Sequence, residues 1–299
     1  MRIADLTIDD VSCRLRGDGL VLRTGPFVTR LRTRFVDVAR SVHFLYAHHE
    51  VDDAAPFADF HVELTLPRGP RRFVRRQVLF FVDGRQPFLP FPRHLAVPLL
   101  EWGLNWCIAY IANQYLIVHA ASLARDGRAV IMPGKPGAGK STLCTALAHR
   151  GWRLMSDEFA LIRPVDGLIV PLTRPISLKN QSIDVVRGFV ADAPMDTVWS
   201  DTRKGSVAHM RPPADCVALA CDPATPAWIV FPRWRTGTAP RFEPMLKSHA
   251  LLQLADNCMN YSIQGRRGFN LVADVVEQSV CHTFEYESLD DAVDAFAQL

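Results

Sequence analysis

Arg128-Ala129-Val130-Ile131-Met132, followed by Gly134-Lys135-Pro136-Gly137-Ala138-Gly139-Lys140-Ser141 with Thr142 behind it, is the stretch on which the fold turns. The first five residues are a short β-branched apolar run, and Thr142 to His149 has the composition of a helix. Between them the octapeptide fits G-x-x-x-x-G-K-[ST] at every position. Strand, glycine-rich turn and helix N-terminus together make an anion site. The first-turn backbone N–H groups have no partner inside the helix, and the helix dipole adds positive potential there. Gly134 and Gly139 let the backbone approach phosphate oxygens, with Lys135, Pro136, Gly137 and Ala138 completing the loop. Lys140 is placed to reach the β and γ phosphates, and Ser141, next to Thr142, to ligate Mg²⁺. The pattern predicts binding of a nucleoside triphosphate.

A second feature follows closely. The helix from Ser141 to Arg150 ends at Gly151, a natural left-handed stop. Trp152 to Ile162 then reads as a strand interrupted by Asp157-Glu158, sixteen residues past Ser141. One short helix and one strand return these acids to the neighbourhood of the phosphates. A carboxylate there can hold Mg²⁺ or take a proton from an attacking hydroxyl. The apolar flanks on both sides argue against a merely solvated acidic turn.

Val118-His119-Ala120-Ala121, the loop, and Gly151-Trp152-Arg153-Leu154-Met155-Ser156-Asp157-Glu158 resemble the catalytic core of the HPr kinase/phosphorylases. That family carries a His before the loop strand, a G-x-x-G-x-G-K-S loop, and R-G-x-R-L-x-x-D-D after the helix. The whole chain resembles the HPr-kinase-related kinases of exosortase-associated gene clusters (HprK-related kinase A type). Glu101 to Trp106, Arg174 to Asn180, Asp201 to Gly205 and Ala208-His209 carry that wider pattern. The resemblance implies an α/β fold, with a P-loop kinase core of the HPr kinase/PEP carboxykinase-like type over 99–299. It also implies an ATP- and Mg²⁺-dependent transfer to a hydroxyl, most naturally serine, of a protein or peptide. By it, Lys140 and Ser141 take the phosphate and metal roles, Asp157 matches the base and His119 the histidine near the phosphate. The second acid is Glu158 where the family has Asp, so which carboxylate is base and which serves the metal is open. The family's Glu-x-Arg-Gly segment has no counterpart, and Lys179-Asn180 stands near its place. The reverse, phosphorolytic activity is therefore not implied. The resemblance is compatible with a homo-oligomer.

Composition adds to this. Of the 34 basic residues only five are Lys: Lys135, Lys140, Lys179, Lys204 and Lys247. A chain that uses Arg for generic positive charge keeps Lys where a compact ammonium is useful. Two of the five lie in the loop, and Lys179 and Lys204 sit in polar segments suited to phosphate. Lys204 is thus a candidate second clamp, with His209 nearby in sequence. A net charge of +3 over 299 residues does not argue for nucleic acid or an anionic membrane. Arg68, Arg71, Arg72, Arg75 and Arg76 form a local basic cluster, either a strand's solvent face or a dock for an acidic partner. Seven scattered cysteines without a C-x-x-C pair read as reduced thiols. Met1 to Asp5 shows no secretory leader, and Leu104 to Val118, the longest apolar stretch, is short of a membrane span. A cytoplasmic protein without membrane insertion is expected.

Residues 1–98 read as a smaller α+β module. A helix is expected around Phe35–Tyr46 and an alternating strand at Phe60–Leu66. Val78–Val82 and Gln86–Leu89 flank Asp83-Gly84 as a hairpin, with a proline-marked linker from Pro87 to Pro98. His48-His49-Glu50 with Asp52-Asp53 fits no standard metal spacing. Beyond Ile162, Ala227–Pro232 reads as a core strand and Met245–Met259 as a helix with Leu251, Leu252, Leu254 and Ala255 inside. Gln264–Gly268 reads as a basic loop able to offer an Arg to the phosphates, and Ser288 as a helix cap. Three functions fit these readings: a protein or peptide kinase, a small-metabolite kinase, and a nucleotide-gated regulator that transfers nothing.

Overall fold

The computed structural model describes residues 1–134 and 137–299. Lys135 and Pro136, read above as loop residues facing phosphate, lie outside the described residues. The chain forms two units, Met1–Ile108 with Pro194–Arg211, and Ala109–Ala193 with Pro212–Leu299. The first takes in a later hairpin, so the division is not a single cut at residue 98. Pro98 itself lies in the first turn of a helix, where its missing N–H sacrifices no helical bond.

The first unit contains Ile8–Arg16 (α1), Leu20–Thr24 (β1), Phe27–Thr33 (β2), Val36–Leu45 (α2), Phe60–Thr65 (β3), Gln77–Val82 (β4), Phe91–Pro92 (β5) and Ala96–Ile111 (α3). Its sheet runs β1-β2-β3-β4-β5, with β2 and β3 parallel and the other neighbours antiparallel. Alternation decides which face is core: Phe60, Val62 and Leu64 are buried while His61 and Glu63 face solvent. Val78, Phe80 and Val82 repeat the pattern on β4. The Asp83-Gly84 turn forms, with φ of 48° and 75°, and Val82 and Arg85 exchange backbone bonds across it. The expected return strand at Gln86–Leu89 does not form. The partner of β4 beyond the turn is β5, which pairs back at Gln77–Val78. Asp52 pairs with Arg23 and Asp53 with Arg14, which accounts for that acidic pair without a metal.

Helix α3 crosses the sheet so closely that Gly103 leaves no room for a side chain. A Cβ there would stand 2.0 Å from the Phe80 ring. Gly103→Ala is expected to lower stability by about 1–3 kcal/mol through overpacking, read as a lower denaturant midpoint. Trp199–Thr202 (β12) and Gly205–Met210 (β13) add an antiparallel hairpin to this unit.

The second unit holds Leu116–Arg125 (β6), Arg128–Pro133 (β7), Lys140–Ala148 (α4), Arg153–Ser156 (β8), Phe159–Ile162 (β9), Ile169–Val170 (β10), Ile176–Lys179 (β11) and Gln181–Phe189 (α5). After the hairpin come Ala214–Ala218 (α6), Thr225–Trp234 (β14), Arg241–Pro244 (β15), Lys247–Asp256 (α7), Tyr261–Gln278 (α8), Val280–Tyr286 (β16) and Leu289–Ala297 (α9). A mixed sheet runs β10-β9-β6-β7-β14-β16-β15, with β8 also paired to β6. Strands β7, β14 and β16 are mutually parallel, and the others join antiparallel. The parallel strands are buried on both faces, hence the unbroken apolar runs Ala129–Met132 and Ala227–Phe231. Leu116, Val118, Ile131, Ile229, Val272 and Val275 lie in one core cluster.

Two expectations are corrected here. Gln264–Gly268 is not a loop but part of α8, interrupted at Gly265 with φ 54°. On α7, Ala250 and Leu254 are buried, whereas Leu252 is 62% exposed. Ser288 does cap α9, accepting from Asp291 N at 3.4 Å. Among the described residues, no helix is long and apolar enough to cross a membrane.

Candidate functional site

The loop region of the second unit is built from the end of β7 and the start of α4. Gly139 sits at the helix N-cap with φ 84°, in the left-handed region where glycine alone is unstrained. It is also crowded: a Cβ would approach the Tyr286 hydroxyl to 2.7 Å. That hydroxyl donates to the Gly139 carbonyl at 3.4 Å, and burial pushes its pKa up. Gly139→Ala therefore carries both strain and a clash. It is expected to weaken nucleotide binding about tenfold or more, measured with a fluorescent ATP analogue; unchanged affinity would contradict the loop assignment.

Lys140 opens α4 and is buried, and its Nζ donates to the Gly134 carbonyl across the loop. Burial lowers its pKa, the charges of Glu158 and Asp157 raise it, and Lys179 lowers it. The four charged groups thus act on one another. Ser141 and Thr142 lie half-buried in the first helical turn. The rest of α4, Leu143 to Ala148, is buried against β6, β8 and β11. Small residues such as Cys144 and Ala146 permit that close seat.

The two acids occupy the turn between β8 and β9, both of which pair with β6. The Ser156 hydroxyl organises the turn by accepting from Glu158 N at 3.3 Å and Phe159 N at 3.0 Å. Asp157 is buried, and its Oδ2 accepts from Ser177 N at 2.9 Å. The segment delivering that donor is tied to β8 by Leu172 N to Met155 O at 2.8 Å and Thr173 Oγ1 to Leu154 O at 3.1 Å. Burial raises the Asp157 pKa to about 7, and neighbouring Glu158 adds to the rise. The Ser177 bond and the charges of Lys179 and Arg174 oppose it.

Glu158 is placed differently. It is half-buried, with Oε2 3.5 Å from His119 Nε2 and Oε1 3.7 Å from Lys179 Nζ. His119 is held by its backbone N bonding Asn257 O at 2.8 Å and by its ring against Phe159. Neighbouring residues therefore have unlike environments: one carboxyl dry and near neutrality, the other bracketed by two basic side chains.

Lys140, Asp157, Glu158 and Lys179 act on one another electrostatically, and His119 joins them through Glu158. Lys204 belongs to the first unit, on the turn of the β12–β13 hairpin, with Nζ 5.8 Å from the Trp102 ring centre. His209, on β13, is buried in that unit. Sequence reasoning missed two contributors, the Ser177 amide and Tyr286. The amide leaves no side-chain signature, and Tyr286 lies 147 residues from the glycine it contacts.

The oxygen donors present, the Ser141 hydroxyl and the Asp157 and Glu158 carboxyls, are hard ligands of the kind Mg²⁺ prefers. Among the described residues no three His, Cys, Asp or Glu side chains group as a metal cage.

No protein-family model matches the chain. Part of it is similar to the tRNA modification GTPase MnmE of Pectobacterium carotovorum subsp. carotovorum (strain PC1), with 32% identity over 95 residues. The likeness covers 29% of this chain and 21% of that protein. The chain thus spans about a fifth of the relative's length. By its name the relative is a GTPase, an enzyme that binds a nucleotide. This agrees with the loop motif in pointing to a P-loop nucleotide site within a mixed α/β fold.

Proposed function

We propose that the protein is an ATP- and Mg²⁺-dependent kinase that transfers the γ-phosphoryl group to a hydroxyl, most naturally a serine, of a protein or peptide. The observation that carries this reading is Asp157, a buried carboxyl with its pKa lifted to about 7, within the electrostatic reach of Lys140. A base serves best when its pKa lies near the working pH.

In the proposed reaction Asp157 accepts the proton of the acceptor hydroxyl. The oxygen forms a bond to the γ phosphorus, the bond from phosphorus to the β–γ bridging oxygen breaks, and the electron pair leaves on ADP. Lys140 neutralises charge on the β and γ oxygens. Bound Mg²⁺ would spread the same charge, held by Ser141 and by a carboxylate of the acidic pair. Glu158, between His119 and Lys179, holds those two side chains beside the reacting phosphate.

The similarity to a GTPase favours one other reading, a nucleotide-operated switch that hydrolyses slowly and transfers nothing. The two are separated by following ATP consumption with a dialysed macromolecular fraction of cell extract and with the low-molecular-weight fraction. Stimulation by the first supports the protein kinase, and stimulation by the second a metabolite kinase. Slow turnover indifferent to both supports the switch.

A further inference from the structure

The solvent face of the first unit's sheet carries a cleft that the phosphoryl-transfer reading does not use. Its volume is about 680 Å³, and its walls come from β2, β3, β4 and the segment after β3. Strand alternation sends Arg30 and Arg32, His61 and Glu63, and Leu79 and Phe81 out to this face, opposite the buried residues of the same strands. Leu66 and Phe81 leave apolar surface between the charges. Arg68 lines the same cleft, and Arg71, Arg75, Arg76 and His94 line a second depression of about 620 Å³ in this unit. Arg30 bonds the Asp18 carbonyl at 3.2 Å. Among the described residues Arg32, Arg68, Arg71, Arg75 and Arg76 pair with no carboxylate, and Glu63 is the one acid in either wall.

We propose that this face binds an acidic protein segment, extended across the strands, with carboxylates on the arginines and an apolar side chain against Leu79 and Phe81. Charge complementarity decides the sign of the partner. The character of the arginines and floor decides its kind. Guanidinium forks match carboxylates bidentately, and a floor of aliphatic and aromatic side chains suits peptide side chains. Phe81 and the His61 imidazole are the aromatic rings among the described residues of the cleft, too few to stack successive bases along a single strand. Five arginines without a carboxylate partner line two depressions of this unit, in a chain whose net charge is only +3, so the basic character is local rather than a property of the whole surface. This inference is independent of phosphoryl transfer and would hold equally for a nucleotide switch.

The test is fluorescence anisotropy of the full chain, without nucleotide, against three labelled probes: a Glu-rich peptide with interspersed Leu and Phe, the same peptide with Lys for Glu, and single-stranded DNA of equal charge. The acidic peptide is expected to bind, to weaken as salt rises, and to outcompete the DNA; the Lys peptide is expected not to bind. Arg32→Glu with Arg68→Glu should weaken the acidic peptide at least about tenfold. Leu79→Gln should weaken it by less without altering the salt dependence. Both Arg positions are exposed, and the milder Arg32→Gln with Arg68→Gln gives the same reading if reversal disturbs folding. Acidic-peptide binding that is unchanged in these variants, or that is weaker than DNA binding, overturns the proposal.

Discussion

Asp157→Asn is expected to lower phosphoryl transfer by about 10²–10⁴-fold, the range a positioned general base supplies. Nucleotide binding and folding should be largely kept. The asparagine is nearly isosteric, and its side-chain oxygen can still accept from Ser177 N. It also carries no charge to bury, so the fold should not lose stability. In the wild type the folded protein holds the Asp157 proton from the ordinary carboxylate range up to about pH 7, while the unfolded chain has released it. Stability therefore falls as pH rises through that window and is level above it. In Asp157→Asn this slope should vanish.

The same residue makes a kinetic prediction. Below its pKa Asp157 is protonated and cannot accept a proton, so wild-type kcat/KM for ATP should rise about tenfold per pH unit up to about pH 7 and then level. Bound MgATP brings net negative charge beside the carboxyl and raises its pKa further, placing the limb in kcat at higher pH than that in kcat/KM. A transfer activity in Asp157→Asn close to wild type would assign the proton to Glu158 or to water instead.

Lys140→Ala should cost at least about 10²–10³-fold in transfer, the scale for removing a preorganised charge from a reacting anion. Nucleotide affinity should fall with it, because the same ammonium reaches the phosphates before and during the reaction. Burial disfavours that ammonium's charge, and the carboxylates of Glu158 and Asp157 sustain it. Removing it leaves Lys179 and Arg174 as the opposing charges on Asp157, so the Asp157 pKa should rise further. Lys140→Arg should not restore activity, since a planar fork cannot replace a compact ammonium in a closed loop. Equal activity in either variant would remove the loop from the mechanism. Titration with a fluorescent ATP analogue, run beside the transfer assay, separates loss of binding from loss of rate.

What could be read from the sequence divides along physical lines. The loop, its helix and the Asp157-Glu158 turn are local: strand, glycine turn and helix follow one another within thirty residues, and each is specified by its own side chains. The alternation of Phe60–Thr65 was equally legible because one face is core and the other solvent. The Asp83-Gly84 turn was legible, but the next strand was not. A turn sets the chain's direction, while Phe91 finds its partner through a register that the intervening prolines do not announce. Gln264–Gly268 looked like a loop because glycines and arginines dominate it, yet the buried faces of Leu271, Val272 and Val275 carry α8 through with one break. The Ser177 amide and the Tyr286 hydroxyl come from distant chain segments. No spacing rule near the loop could have indicated either.

The most direct test of the central claim is incubation of cell extract with γ-labelled ATP and Mg²⁺, comparing the wild type with Asp157→Asn. The account predicts a labelled macromolecule that appears with the wild type and is absent with the variant, although both bind the nucleotide. Equal labelling by the two proteins, or none by the wild type while ATP remains bound, would contradict it.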